Sequence, residues 1–248
     1  MLFIEERSTS IERNALVVAT HLNNAQSVDK LLKRGVNPNI VAKGCFLLHT
    51  AIRNDNKEIV SLLLKAGADP NFQEESTGYK AILIASSEGK LEALKVLIEF
   101  GVSINLNLHS GYNLLHATII NDSYHTAEYL IKLGLNFVKF DGSNDFLLFH
   151  LAKTKHPNVL KLVLDNGANV FEAIGDFPEN IDYHPQFNSR LSRGDYAVVI
   201  SVITSRPENL ELFLIYGFTP NARIFNGTST LLHVACELND VRSAKILI

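Results

Sequence analysis

Tryptophan is absent from the 248 residues, and cysteine occurs only twice. Cys45 and Cys236 are far apart and form no CxxC pair, which excludes a disulfide framework and a cysteine-rich zinc site and fits a reducing compartment. No apolar run reaches about 18 residues without a charge, so no transmembrane helix is expected. The opening Met1-Leu2-Phe3-Ile4-Glu5-Glu6-Arg7 has neither a basic n-region nor a long apolar h-region, which argues against a secretory signal peptide. An excess of positive charge is also missing. The net charge is −3 and the pI about 6.3, unlike a general nucleic-acid or anionic-membrane binder, whose affinity comes from clustered Lys and Arg. Ordinary globular composition remains, 46% hydrophobic and 20% charged, which excludes global disorder.

A repeat fills this frame. A glycine closes a leucine-rich run at Gly35, Gly67, Gly101, Gly134, Gly167 and Gly217, with spacings of 32, 34, 33, 33 and 50. His49 and His116 lie 18 residues before their glycines, His150 lies 17 before Gly167, and His233 marks a further copy. Each period reads as a short helix, as at Leu48-His49-Thr50-Ala51-Ile52, then a second helix such as Glu58–Leu64 with apolar residues at helical spacing. Gly67 suits the left-handed residue just past a helix C-terminus. Gly44, Gly78, Gly111 and Gly194 sit five residues before the histidine position, where a tight turn needs positive φ.

Leu48-His49-Thr50-Ala51 followed by Glu58-Ile59-Val60-Ser61-Leu62-Leu63-Leu64-Lys65-Ala66-Gly67-Ala68-Asp69-Pro70-Asn71 resembles the ankyrin-repeat pattern, and several copies share its register from about residue 12 to the end. The resemblance implies an all-α ankyrin-repeat solenoid of about seven helix-turn-helix repeats, stacked right-handed, with β-hairpin loops and a concave binding face. The copies span 12–39, 40–71, 72–105, 106–138, 139–171, 188–221 and an incomplete 222–248, in one domain over 1–248. The first copy is degenerate, with Leu16-Val17-Val18-Ala19 in place of the motif. The last residues, Ala244-Lys245-Ile246-Leu247-Ile248, lack a closing glycine and a polar cap, so a longer protein is expected, of which this is the N-terminal part.

The sequence departs from the family twice. The Thr-Pro before the histidine is replaced by Phe46-Leu47, Lys80-Ala81 and Asn113-Leu114, and only Thr230 keeps the threonine. Buried His49 and His116 then need other partners, and a less stable, less regular solenoid is expected. About 17 extra residues fall around 171–187, with two prolines and the rings of Phe171, Phe177, Tyr183, His184 and Phe187. That is no Gly/Ser linker; the segment either packs on the solenoid or contacts a partner.

No chemistry is signalled. His49, His116, His150 and His233 are motif residues. The remaining histidines show no H-x₃-H or H-E-x-x-H spacing, and G-x-S-x-G, Walker and G-x-G-x-x-G motifs are missing. Cys236 occupies a small alanine position of a first helix and is expected in the core. Catalytic residues, cofactors and metal are therefore not expected within the chain.

The resemblance instead implies protein binding. The residue four before the motif histidine projects from the hairpin, and this column reads Cys45, Tyr79, Tyr112, Phe146, Asp195 and Ser229. Three consecutive aromatics either form a stripe of anchors about 20 Å long or pack sideways and stiffen the hairpins. The binding set is Tyr79, Tyr112 and Phe146, supported by His109 and Ile120, with Tyr183 and Phe187 from the insertion. Drifted repeats and the irregular insertion resemble ankyrin proteins of intracellular bacteria and large DNA viruses. That implies a monomeric cytoplasmic module, an effector or adaptor binding a host protein in the host cytosol, without nucleic acid or membrane insertion. The alternative is the substrate-recognition arm of an enzyme whose catalytic domain follows residue 248.

Overall fold

The computed structural model describes residues 2–42, 44–74, 77–106, 113–135, 151–167, 193–217, 223–224 and 229–248, apart from the side chains at 2–9, 45, 193–196 and 223–224. The chain divides into two compact units, Met1–Leu106 and Asn107–Ile248.

In the first unit α1 (Leu2–His21) is followed by α2 (Ala25–Lys33), a hairpin of β1 (Val41–Ala42) and β2 (Cys45–Phe46), α3 (Leu47–Arg53), α4 (Lys57–Lys65), α5 (Ala81–Ser87) and α6 (Leu91–Glu99). The hairpin is antiparallel, with Val41 opposite Phe46 and Ala42 opposite Cys45. First helices stack on first helices, α1 on α3 on α5, and second helices likewise, α2 on α4 on α6. Leu48, Ile52, Ile59, Leu63, Ile82, Leu94 and Leu97 are fully buried between the two layers. Each such side chain contributes about 1.5–3 kcal/mol of hydrophobic stabilisation. The first copy differs from its expected form: α1 has 20 residues where α3 and α5 have seven, and the limit at residue 12 falls inside it.

The second unit holds α7 (Leu114–Ile120), α8 (Tyr124–Lys132), a helical stretch at 151–153, α9 (Pro157–Asp165), α10 (Arg193–Ile203), α11 (Pro207–Ile215), the hairpin of β3 (Arg223–Ile224) and β4 (Ser229–Thr230), α12 (Leu231–Glu237) and α13 (Val241–Leu247). Second helices again stack in order, α8 on α9 on α11 on α13, and α10 packs on α12. Gly194 and Asp195 correct an expectation. They lie inside the 11-residue α10, so at that place the chain is already helical where a hairpin turn was predicted.

The seven-plus-nine rhythm has a local cause. At the end of α4 the Gly67 N–H donates to the Leu64 carbonyl at 3.0 Å and the Ala68 N–H to the Leu63 carbonyl at 2.9 Å, with Gly67 at φ +90°. This is the Schellman closure, which satisfies the last helical carbonyls and needs a left-handed residue. Several first helices end in the same way. Asp55, at φ 50°, donates to the Ile52 carbonyl at 2.8 Å and Asn56 to the Ala51 carbonyl at 3.3 Å. Asn23, Asp122, Ser205 and Asn239 repeat this left-handed position. Asn and Asp tolerate it better than other side-chain-bearing residues, and here their side chains are used. Asn23 Oδ1 accepts from Asn56 Nδ2 at 2.9 Å, Asp55 Oδ1 accepts the Ala93 N–H at 3.0 Å, and Asp122 accepts from the Thr154 hydroxyl. Each of these turn residues thus clips its repeat to the next.

Candidate partner-binding surface

The most elaborate polar arrangement among the described residues holds the hairpin of the third copy. Glu74 enters from this loop with its side chain only 3% exposed. A buried carboxylate needs a cation and hydrogen bonds to stay ionised. Arg53, the last residue of α3, supplies them: its Nη1 lies 2.9 Å from Glu74 Oε1 and its Nη2 donates to Oε2 at 3.0 Å. The same guanidinium donates through Nε to Glu88, just past α5, at 3.0 Å. Arg53 therefore joins the first helices of two repeats to the loop between them. Its hydrogen bonds are the main cause holding the Glu74 carboxyl below the usual carboxylate range, and the pair keeps Arg53 firmly protonated.

Tyr79 stands on this base. The Thr77 hydroxyl donates to Glu74 Oε2 at 2.8 Å, the Tyr79 N–H donates to Thr77 Oγ1 at 3.1 Å, and the Tyr79 carbonyl accepts the Glu74 N–H at 2.9 Å. Gly78, at φ +70°, closes the turn onto the Glu74 carbonyl at 2.7 Å. Backbone and ion pair together fix the residue, yet Tyr79 is 41% exposed. With its backbone already held, a half-exposed aromatic loses less backbone entropy on binding, which favours it as a contact residue.

Aromatic rings pack behind the same hairpin. Phe46 stacks on Phe72 at 4.5 Å, and His49 meets Phe46 edge-on at 5.4 Å. His49 is fully buried and neither ring nitrogen has a hydrogen-bond partner of normal geometry, although the Phe72 backbone approaches it. Desolvation pushes its pKa down, Glu74 opposing and Arg53 assisting, so the ring is neutral. His116 has found a partner. Its Nδ1 lies 2.9 Å from Asn113 Oδ1 and accepts the Asn113 N–H at 3.3 Å, while Asn113 Oδ1 caps α7 by accepting the N–H groups of Leu115 and His116 at 2.9 and 3.2 Å. Asn113 thereby does what Thr230 does for His233, with a hydroxyl–ring distance of 2.8 Å. Phe46, which stands where a cap would be in the second copy, replaces capping by ring packing.

The description "Ankyrin repeats (3 copies)" matches residues 2–74 and 82–173, well over half of the chain. The chain belongs to the ankyrin-repeat family. The human ASB11 ankyrin repeat domain superposes with a TM-score of 0.69 at 20% identity, covering 94% of this chain and 95% of that one, which shows the same fold. Glycerophosphocholine phosphodiesterase gde1 of Schizosaccharomyces pombe is 32% identical over 104 residues, which are 42% of this chain and 9% of that protein. An ankyrin repeat protein of Fowlpox virus is 28% identical over 134 residues, 41% of this chain and 18% of that one. The chain thus spans a small part of the curated relatives it matches, and relatives named as enzymes match through their ankyrin repeats alone. Ankyrin repeat domains generally mediate protein–protein interaction and are typically non-enzymatic interaction modules.

Within this ankyrin frame the predicted surface is partly visible. Tyr79 lies in the first unit and Ile120, 37% exposed, at the end of α7 in the second. His109, Tyr112, Phe146, Tyr183 and Phe187 lie outside the described residues, as do Gly111 and His150. Cys236 corrects the core expectation, because it is exposed. The equivalent Ile52, Ser86 and Ile119 are buried. Sequence reading missed Glu74 altogether. A lone acid in a loop carries no signal of burial. The hint was Arg53, a cation at the end of a first helix. Among the described residues no group of His, Cys, Asp and Glu has a metal-binding arrangement, and no helix is long and apolar enough to cross a membrane.

Proposed function

We propose that this chain is a protein-binding module whose contacts centre on the hairpin and first-helix side of the repeats. Tyr79 is its best-defined anchor, with Tyr112, Phe146, His109 and Ile120 completing the set and Tyr183 and Phe187 adding to it from the insertion. The observation that carries the reading is the Arg53–Glu74–Thr77 support, which holds the backbone of an exposed tyrosine. The mechanism is surface complementarity, with no bond made or broken. On this reading the chain acts as a monomer in the cytosol. Likeness to a viral ankyrin protein favours the host cytosol and a host protein as partner.

The experiment is capture of partners from a eukaryotic lysate by the chain, compared with a Tyr79→Ala/Tyr112→Ala/Phe146→Ala variant of unchanged circular dichroism. Loss of a partner in the variant alone supports the reading; equal capture by both refutes the aromatic set. The second reading, a recognition arm for a following enzyme domain, draws on the match to part of a phosphodiesterase. It is tested by whether a catalytic motif lies in the gene beyond residue 248.

A further inference from the structure

A titratable ring without hydrogen-bond partners lies behind the third-copy hairpin. His49 is fully buried and neither of its nitrogens has a partner of normal geometry. His116 has Asn113 beside its ring and His233 has Thr230, whereas His49 has Phe46. Two aromatic rings wall it in, Phe46 edge-on at 5.4 Å and Phe72 tilted at 6.3 Å. Phe46 is buried, but Phe72 is only half-buried and belongs to the loop that carries Glu74. That loop therefore separates the ring from water. Its fastenings run to the same short stretch of chain: Phe72 stacks on Phe46 at 4.5 Å, and Glu74 pairs with Arg53, four residues after His49 on α3.

Among the described residues, the charged groups that act on the ring are Glu74 from the loop and Arg53 from its own helix. The elements packed on α3 add no other. On α1 the residue in register with His49 is Val17; Glu12 is paired with Arg34, and Arg13 and His21 are exposed. On α4, Lys57, Glu58 and Lys65 are exposed, and α5 contains no ionisable residue. Lys43, Cys45 and Glu75 lie outside the described side chains.

We infer that proton uptake by His49 releases this loop from α3, so that the hairpin bearing Tyr79 is held in place at neutral pH and let go in acid. The consequence for binding rests on the hairpin reading above; the release itself does not. An imidazolium has two N–H donors, and the closed pocket offers neither an acceptor. The Glu74 oxygens are already engaged by Arg53 and Thr77. A buried charge with unpaired donors is costly, and moving Phe72 aside lets water solvate it. α3 itself stays in the stack, because Leu47, Leu48 and Ile52 are fully buried against its neighbours. Opening is therefore local, as expected for a segment with few attachments. The sign follows from linkage. Desolvation lowers the affinity of the closed form for the proton, Glu74 opposing and Arg53 assisting, so the open form takes up the proton first and is favoured as pH falls.

The test is amide hydrogen exchange of the full chain, read residue by residue by ¹⁵N NMR at pH 7.5 and 5.5 and corrected for intrinsic exchange. The reporters are the Glu74 and Gly78 N–H groups, which bond to the Tyr79 and Glu74 carbonyls. The references are the Asn54 and Ala68 N–H groups, which close α3 and α4. One proton on a histidine of ordinary pKa limits the change over this range to about tenfold. Protection of the reporters should fall by at least threefold at pH 5.5 while the references keep theirs. At that pH His116, whose pKa burial holds at about 4, is still neutral. His49→Leu, which fills the apolar pocket, should abolish the change, and so should His49→Gln; if one variant loses helical circular dichroism, the other decides. Glu74→Gln should lower protection at both pH values and leave the pH response in place. The proposal is overturned if the reporters do not respond, if they respond equally in the His49 variants, or if the references fall with them, which would mean unfolding of the stack. Exchange is read without any partner, so the release and the role of Tyr79 in binding fail or hold separately.

Discussion

Replacing Arg53 by methionine tests the support beneath Tyr79. The substitution keeps most of the aliphatic stem and removes the guanidinium, so the Glu74 carboxylate loses both of its Arg53 contacts and keeps only the Thr77 hydroxyl. Removing one partner of a buried ion pair is destabilising by about 3–5 kcal/mol. Arg53 is 33% exposed and one hydrogen bond survives, so screening brings the expected loss to about 2–3 kcal/mol. At roughly 2–4 °C per kcal/mol for a chain of this size, the melting temperature should fall by about 5–10 °C. The pH dependence gives a sharper check. In the parent the Glu74 pKa is depressed, so its contribution is present above the ordinary carboxylate range and is lost as pH falls through the folded value. In the variant the same carboxyl is desolvated without a cation and its pKa rises. The variant therefore gains stability relative to its unfolded state as pH falls, and the gap between the two proteins should narrow from pH 7 to pH 4. Calorimetric melts at both pH values measure it. A gap below about 1 kcal/mol at pH 7, or one that widens at pH 4, would refute the assignment of Arg53 as the counter-ion of a buried carboxylate. Glu74→Gln, which preserves the hydrogen-bonding shape, should cost far less than Arg53→Met.

Three further outcomes are expected. Asn113→Ala removes the cap of α7 and should destabilise the chain by about 1–2 kcal/mol in urea titrations, whereas Asn113→Thr should stay within about 0.5 kcal/mol because threonine caps in the same way at residue 230. Burial pushes the His116 pKa down to about 4, so the unfolded chain takes up a proton before the folded one, and stability should fall by about 3 kcal/mol as pH drops from 6.5 to 4. His116→Gln should flatten that part of the stability–pH curve. Asn209 is buried and its Nδ2 donates to the carbonyls of Leu151, Ala152 and Thr154 at 3.3, 3.1 and 2.9 Å. Asn209→Ala should therefore be destabilising by about 2–3 kcal/mol in urea titrations, well above the effect of an exposed substitution.

What could be read from the sequence follows from how each feature is encoded. The closing glycines were legible because the left-handed residue after a second helix is glycine at Gly35, Gly67, Gly101 and Gly134, with φ between 81° and 90°. The identical closure after the first helix was not, because Asn23, Asp55, Asp122, Ser205 and Asn239 fill it and look like ordinary polar turn residues. Their choice makes sense only in the stack, where the side chains of Asn23, Asp55 and Asp122 reach the next repeat. Hydrophobic periodicity located the helices, since burial of one face is a property of the residues themselves. Cys236 shows the limit of such reading, since its place along α12 matches core positions and its side chain is nevertheless exposed. Aromatic spacing pointed to Tyr79, but the pairing that holds it joins Arg53 to Glu74 across 21 residues and Glu88 across 35. In a repeat protein the repeating residues build the stack and therefore resemble one another. On the proposed reading, the residues that select a partner are the ones that break the pattern, as Tyr79 and the Glu74 beneath it do.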